Sequence, residues 1–337
     1  MKKIFIRSAT HISIQQPLCK EWMTDPITYD EPYCRSIDPN FKEYLNPMES
    51  RRMGKILKRA LVTATMAMND AGVTDPDAII TGTGLGCIEN TELFLDQLCR
   101  EGEELLKPTY FMQSTHNTIS SLIGIHTKSH GYNTTYSHKS VSFDSALLDA
   151  FTQISLDDIN NALVCGNDEM TPTYFSILKR TGYVGLPSES VCGEAAVAMV
   201  VNMENKNALC QIAGVRMMYN PSDESFMQTV KQMLENTDID MPDAIMTGIN
   251  GNQANDAVYE RLLSQFPSVP KLYYKHIFGE CYTVSGLGIY ASACCLKEGR
   301  VPRFMRYDCQ FEDLYLDNIL FVNHSDCHNI SAIILKR

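Results

Sequence analysis

Two segments set half a chain apart constrain this sequence more than any other feature. "PDAIITGTGLG" (residues 76–86) and "PDAIMTGINGN" (242–252) begin 166 residues apart in a chain of 337. Each reads as a buried strand ending in a glycine-bearing turn. Each then runs into a helix pattern, "ENTELFLDQL" from Glu89 and "ANDAVYERLL" from Ala254. A weaker echo pairs "NNALVCGNDE" (160–169) with "DNILFVNHSD" (317–326), apolar strands ending in polar turn residues. Two near-continuous apolar strands, "EAAVAMVVN" (194–202) and "ISAIILKR" (330–337), close the halves and predict sheets covered on both faces. With helices expected over 52–71 and 287–298, the pattern implies a duplicated α/β protein. Its halves are expected at 1–202 and 203–337, joined without a linker. Pro, Asp, Tyr and Asn scattered through 17–47 predict an irregular surface insertion at about 12–50.

Composition narrows the function. The chain is 44% hydrophobic and 20% charged, with a net charge of −11, which argues against nucleic-acid and anionic-membrane partners. No run approaches the roughly 18–20 apolar residues of a membrane helix. "MKKIFI" at the start is too short for a signal peptide, so a cytoplasmic protein is expected. One stretch departs from the acidic balance. "RRMGKILKR" carries Arg51, Arg52, Lys55, Lys58 and Arg59, and reads either as a solvated helix face or as a dock for an anionic partner. The twelve cysteines include no CxxC and read as reduced, buried small hydrophobes.

No cofactor or metal is expected. "GTGLG" (82–86) lacks dinucleotide spacing, because Cys87 stands where a last glycine would be, and reads as a tight turn. "HSDCH" (324–328) holds zinc-type residues, but neighbours on one turn rarely converge on one ion. The most suggestive local feature is "GYNTTYSHKSVSFDSALLDA" (131–150), a strand leading into a helix with Ser140 at the junction. Nucleophiles are often placed at such turns, where helix N–H groups favour negative charge.

These motifs, in this order, resemble the thiolase-like condensing enzymes, and specifically the β-ketoacyl-acyl-carrier-protein synthases, along nearly the whole chain. "RRMGKILKRALVTATMAMNDAG" is similar to that family's first long helix, and "GTGLG" sits at its expected strand end. "GYVGLPSESVCGEAAVAMVV" resembles its Gly-Glu strand through Gly193 and Glu194. "KHIFGECYTVSGLGIYASACCLKEGRVP" resembles its Lys-Ser-x-x-Gly-His segment and the helix after it. The resemblance implies a thiolase-like α/β fold, two duplicated halves forming a five-layered αβαβα core.

In that family a cysteine is acylated, and two histidines stabilise the enolate formed as malonyl-carrier protein loses CO₂. Laid along this chain, the cysteine falls on Ser140, the first histidine on Gly248 and the second on Glu280, while the family's lysine is retained as Lys275. The loop that helps form the oxyanion hole reads "NHSDCHN" (323–329), without glycine. Phe143 and Asp144 stand where the family prefers small residues.

The resemblance therefore implies a non-catalytic subunit of the chain-length-factor type. Such a subunit shapes the acyl tunnel of a partner ketosynthase in fatty-acid, aryl-polyene or polyketide elongation. Its partners would be an active ketosynthase in a heterodimer, or a second copy, and an acyl carrier protein. Gln113, Ser114, His116 and Asn117, with Phe143, are the expected substrate and interface residues. Arg51, Arg52, Lys55, Lys58 and Arg59 are the expected carrier dock. Two alternatives remain: an acyltransferase or malonyl decarboxylase using Ser140, Lys275 and Glu280, and a homodimeric acyl-binding protein.

Overall fold

The computed structural model describes residues 2–182, 191–307 and 315–337. Its first half contributes β1 (Ile4–Ile12), β2 (Ala78–Gly82), β3 (Tyr132–Tyr136), β4 (Asn161–Asp168) and β5 (Ala195–Asn202). The second contributes β6 (Cys210–Tyr219), β7 (Ala244–Thr247), β8 (Lys271–Tyr273), β9 (Asn318–Ser325) and β10 (Asn329–Lys336). The strands run in the order β3-β2-β4-β5-β1-β6-β10-β9-β7-β8, so the second half repeats the first in mirror order. The two sets meet where Ile4, Phe5 and Ile6 pair antiparallel with Ile212, Gln211 and Cys210.

Helices form the other layers. Between the two sets of strands lie α6 (Ser142–Ser155) and α11 (Val284–Glu298), the second buried at every residue from Val284 to Leu296. Outside the first set of strands pack α2 (Lys55–Ala71) and α5 (Thr118–Thr127), with Ile56, Leu57, Leu61 and Ile123 in one cluster with β2, β4 and β5. Outside the second set lie α8 (Asp223–Glu235) and α9 (Gln253–Leu263), whose Phe226, Val230, Leu262 and Leu263 face β7, β9 and β10. This is the expected five-layered αβαβα core. The remaining helices are α1 (Pro47–Ser50), α3 (Ile88–Glu101), α4 (Pro108–Met112), α7 (Pro172–Arg180) and α10 (Lys275–Phe278). The helix expected from 52 begins instead at Lys55 after Gly54, and Arg51 and Arg52 lie in the connection before it.

The repeated Pro-Asp-Ala has a structural meaning. Asp77 Oδ2 accepts from Asn160 N (2.7 Å), Asn160 Nδ2 (3.2 Å) and Asn161 N (3.4 Å), while Asp77 N donates to Asn161 Oδ1 (3.3 Å). Asp243 Oδ2 accepts from Asp317 N, Asn318 N and Asn318 Nδ2, each at 2.9 Å, while Asp243 N donates to Asn318 Oδ1 (3.1 Å). In both halves the aspartate before β2 or β7 thus fixes the start of the neighbouring parallel strand, β4 or β9.

The segment expected as a surface insertion is irregular but not superficial. Ile14, Gln15, Trp22, Met23, Ser36 and Leu45 are buried. Trp22 packs against Phe278 and Tyr290 at ring-centroid distances of 5.2 and 5.9 Å, and Gln15 Nε2 donates to Ile277 O at 2.6 Å. A buried cluster fastens the segment. Arg59, 1% exposed, donates to Asp38 (2.5 Å) and Glu194 (2.8 Å), and Glu194 also accepts from Ser36 N (2.7 Å). Beside it, Glu169 accepts from Glu89 N (3.0 Å). Burial, helped by the like charges of Glu89 and Glu194, raises the Glu169 carboxyl from 4.5 to about 8.

Asp77→Ala and Asp243→Ala should each destabilise the protein by about 2–3 kcal/mol, since each strands several backbone donors around one lost acceptor. Chemical denaturation measures this. Glu169 holds its proton more tightly folded than unfolded, so its contribution is full below about pH 4.5 and lost as pH rises through about 8. Thermal melts across that window should show stability falling with pH, less steeply in Glu169→Gln.

Candidate functional site

The three positions implied for a Cys-His-His set lie on three elements that converge beneath the centre of the fold, and each is occupied differently. β3 ends at Tyr136, one 3₁₀ turn spans Lys139–Val141, and α6 starts at Ser142. Ser140 therefore sits in the turn before the helix, half-buried. The turn is closed by Ser142, whose hydroxyl accepts from His138 N (2.8 Å) and donates to Lys139 O (2.7 Å). His138 Nδ1 lies 3.4 Å from Ser145 Oγ. Among the described residues no base contacts the Ser140 hydroxyl; its carbonyl instead accepts from Asn323 Nδ2 at 2.8 Å. A serine without a base is a weak nucleophile.

Gly248 follows β7 and has no room for a side chain. A Cβ there would collide with Tyr259 Oη and lie 2.9 Å from Lys275 Cε. Tyr259 is fully buried on α9, so its hydroxyl fills the space a side chain at 248 would need. Glu280 follows α10 and forms an ion pair with Lys275 at 2.8 Å, both side chains largely shielded from solvent. Its Oε2 also accepts from Asn250 Nδ2 (2.8 Å). The carboxylate at the second histidine position is thus neutralised within the chain. His324, beside this pair, is pushed down to about 4 by burial and by the charge of Lys275, so it stands there as a neutral imidazole.

Above Ser140 a second buried network replaces open space. The Asp144 carboxylate accepts from Ser285 Oγ (2.6 Å), Asn323 Nδ2 (3.2 Å) and Ser331 Oγ, joining α6 to α11, β9 and β10. Burial raises its pKa against the opposing effect of these hydroxyl and amide donors. Phe143 is fully buried, and a Cβ on Gly166 or Gly286 would come within 2.7 or 2.9 Å of its ring. Those two glycines make room for a phenyl group in the central layer. Phe143 is therefore a buried residue of the central layer, which corrects its expected place only as far as an exposed interface is concerned. Cys281 is buried and its thiol raised well above its ordinary value by burial, so it is inert.

The glycine turns of the repeat are likewise filled from within. Asp168 accepts from Gly84 N (2.9 Å), Leu85 N (2.8 Å) and Thr83 Oγ1 (3.2 Å). Asp256 accepts from Asn250 N (3.0 Å) and Gly251 N (2.9 Å). A carboxylate already occupies the amides that could otherwise cradle a phosphate.

The expected interface residues divide. Gln113 is tied to its own chain through Arg52 O (3.1 Å) and Asn90 Nδ2 (3.3 Å), and Ser114 Oγ donates to Phe111 O (2.8 Å). His116 and Asn117 are exposed. Around them Phe111, Met112 and Ile125 are 58, 71 and 74% exposed. In the expected basic dock Arg51 and Arg52 are exposed, Lys55 pairs with Asp38 at 3.4 Å, and Lys58 lies over the Phe41 ring. Arg59 does not belong to it: the buried pairs with Asp38 and Glu194 turn it inward.

Residues 22–253, most of the chain, match the Beta-ketoacyl synthase, N-terminal domain family, and the chain belongs to that family. No curated protein sequence matches it. Among solved structures it is similar to the ishigamide ketosynthase/chain length factor, with a TM-score of 0.84 and 17% identity over 99% of both chains. It is also similar to the ketosynthase ApeO in complex with its chain length factor ApeC from Xenorhabdus doucetiae (TM-score 0.77, 12% identity, 99% of this chain and 98% of that one). A third is AntDE:AntF, a type II polyketide-synthase carrier protein in complex with its ketosynthase (TM-score 0.76, 12% identity, 99% of both). At these identities the likeness is one of fold. No helix among the described residues is long and apolar enough to cross a membrane.

The packing at Gly248 gives a direct test. Gly248→Ala should cost about 1–3 kcal/mol through overpacking, and Tyr259→Phe in the same chain should recover much of the loss by removing the colliding hydroxyl. Denaturation midpoints of the two single variants and the double variant measure the coupling.

Proposed function

We propose that this chain is a non-catalytic subunit of the chain-length-factor type, which pairs with an active ketosynthase and shapes its acyl tunnel during fatty-acid or polyketide elongation, aryl polyenes included. The observation that carries this reading is the Tyr259 hydroxyl standing where a side chain at 248 would be. With Lys275 neutralising Glu280 and no base at Ser140, each of the family's three catalytic positions is filled or paired off. The acyltransferase or decarboxylase reading would need a base at Ser140, and His138 is turned toward Ser145. We place the halves at 1–202 and 203–337 and the protein in the cytoplasm.

The sheet edges support a partner. The β8 edge is closed by the Leu272–Arg306 bridge and the Tyr307 N to Lys271 O bond (2.9 Å). β3, at the opposite edge, pairs only with β2 among the described residues, and Tyr132 on it is 44% exposed. An unpaired edge beside exposed apolar side chains is a surface that a second chain covers. In this reading Phe111, Met112, His116, Asn117 and Ile125 face the partner ketosynthase, or a second copy, and Gln113 and Ser114 hold that segment in shape. Arg51, Arg52, Lys55 and Lys58 remain the surface for an acidic carrier protein.

The purified chain should show no malonyl-carrier-protein decarboxylation alone, and should co-purify in equal amounts with a ketosynthase that retains its Cys-His-His set. Turnover by the isolated chain would overturn the reading. Recovery only as a self-dimer, without turnover, would replace it with the acyl-binding one.

A further inference from the structure

The asparagine beside Glu280 is followed by a glycine, and Asn250-Gly251 is the one Asn-Gly pair in the chain. An asparagine side chain and the next backbone nitrogen can close a five-membered imide, and a glycine next in sequence sets no side chain against that approach. The hydrogen bonds of this turn hold the three groups such a closure uses. The nucleophile, Gly251 N, donates to Asp256 Oδ2 at 2.9 Å. The oxygen of the electrophile, Asn250 Oδ1, accepts from Asn252 N and from Asn255 Nδ2, each at 3.0 Å. The leaving nitrogen, Asn250 Nδ2, donates to Glu280 Oε2 at 2.8 Å. Asn250 N donates to the other Asp256 oxygen at 3.0 Å, so one carboxylate fixes the backbone on both sides of the reacting side chain. Gly251 is exposed, with φ of +79°, and water reaches the turn there.

The first half shows what such a turn needs for its structure. At the positions equivalent by the repeat, Asp168 accepts from Gly84 N and Leu85 N. The carboxylate is common to both turns and the Asn-Gly pair is not, so the turn holds without that dipeptide.

We infer that Asn250-Gly251 is a self-modifying site, at which the turn itself promotes loss of ammonia from Asn250. Asp256 takes the proton of Gly251 N as that nitrogen attacks Asn250 Cγ. Negative charge gathers on Oδ1, where Asn252 N and Asn255 Nδ2 already donate. The Cγ–Nδ2 bond then breaks, the proton held by Asp256 passes to the departing nitrogen, and ammonia leaves behind a cyclic imide. Water opens the imide at either carbonyl, giving aspartate or isoaspartate at position 250. Glu280, which now has an amide donor there, loses it and gains a second carboxylate beside its pair with Lys275. The reaction needs only this chain and water, so it stands or falls separately from the partner-subunit reading.

The test compares the folded chain with a free peptide of residues 244–258. Both are incubated across a pH series and digested in acid, and loss of the Asn250 amide, as imide plus acid, is followed by residue-resolved mass spectrometry. In the peptide hydroxide must generate the nucleophile, so the rate climbs about tenfold per pH unit. A carboxylate base does not need hydroxide. The folded chain should therefore react about a hundredfold faster than the peptide near pH 6 and keep that rate as the pH rises to about 8. Asp256→Asn retains an acceptor for the turn but no base. It should slow the reaction near pH 6 about a hundredfold and restore the climb with pH. A turn that merely held the geometry would leave the climb with pH in the natural chain. Should Asp256→Asn fail to fold, the pH series on the natural chain decides by itself. Loss of the amide no faster in the folded chain than in the peptide near pH 6, or a rate that climbs with pH as the peptide's does, would overturn the site.

Discussion

A carboxylate at the centre of this molecule has to find its donors inside the protein, because the middle layer lies between the two sets of strands. Thirteen residues of α11 in succession are buried, and α6 is buried from Ser142 through Leu147. A carboxylate such as Asp144 cannot stay there without donors, since a buried polar group without a partner costs several times what a hydrogen bond returns. Its three donors come from α11, β9 and β10. That one side chain therefore registers the helix carrying the Ser140 turn against three elements, and the glycines at 166 and 286 can give way to Phe143 only because this register is fixed.

The duplicated Asp–Asn clamps show the same requirement at the rim. A parallel strand starts beside its neighbour with backbone groups that no ladder yet satisfies. Asp77 and Asp243 supply the acceptor in each half, and Asn161 and Asn318 return the bond. In the interior the halves diverge: the Gly84 turn is held by Asp168 from β4, the Gly251 turn by Asp256 from α9. The chemistry of satisfying a glycine turn was kept, although the residue supplying it moved.

Much of this is legible in the sequence because it is periodic or repeated. The repeat at 76 and 242 predicts a duplicated α/β protein, which the structure realises as two sets of strands in mirror order, and the apolar runs at 194–202 and 330–337 predict strands covered on both faces. The resemblance to the family also points to Ser140, Gly248 and Glu280 from the sequence, because each position is named by a short motif. What fills the space at Gly248 is not legible there. Tyr259 sits among Val258, Leu262 and Leu263, at spacing that reads as an ordinary apolar helix face, and nothing in its neighbourhood points eleven residues back to Gly248. Arg59 reads as solvated because it stands among five cations near a helix start, while its acidic partners lie far away at 38 and 194. The burial of Trp22 and Gln15 leaves no trace because an irregular segment has no period to betray which residues face inward.

The retained lysine is best understood through what replaced its neighbour. A buried ammonium without an anion is costly, and breaking a buried pair by removing one member costs far more than the pair itself contributes. With Glu280 beside it at 2.8 Å, Lys275 is held whether or not any reaction takes place. The same coupling resists reversal. Restoring an imidazole at 280 would strand Lys275 next to His324, whose own proton affinity that lysine already depresses. A side chain at 248 would meet Tyr259, and a cysteine at 140 would find no histidine. No single substitution recovers a working fragment of the triad, so each intermediate step loses stability without gaining chemistry. The site is held in its present form by pairs of residues, Tyr259 against Gly248 and Lys275 against Glu280, each of which resists change in the other.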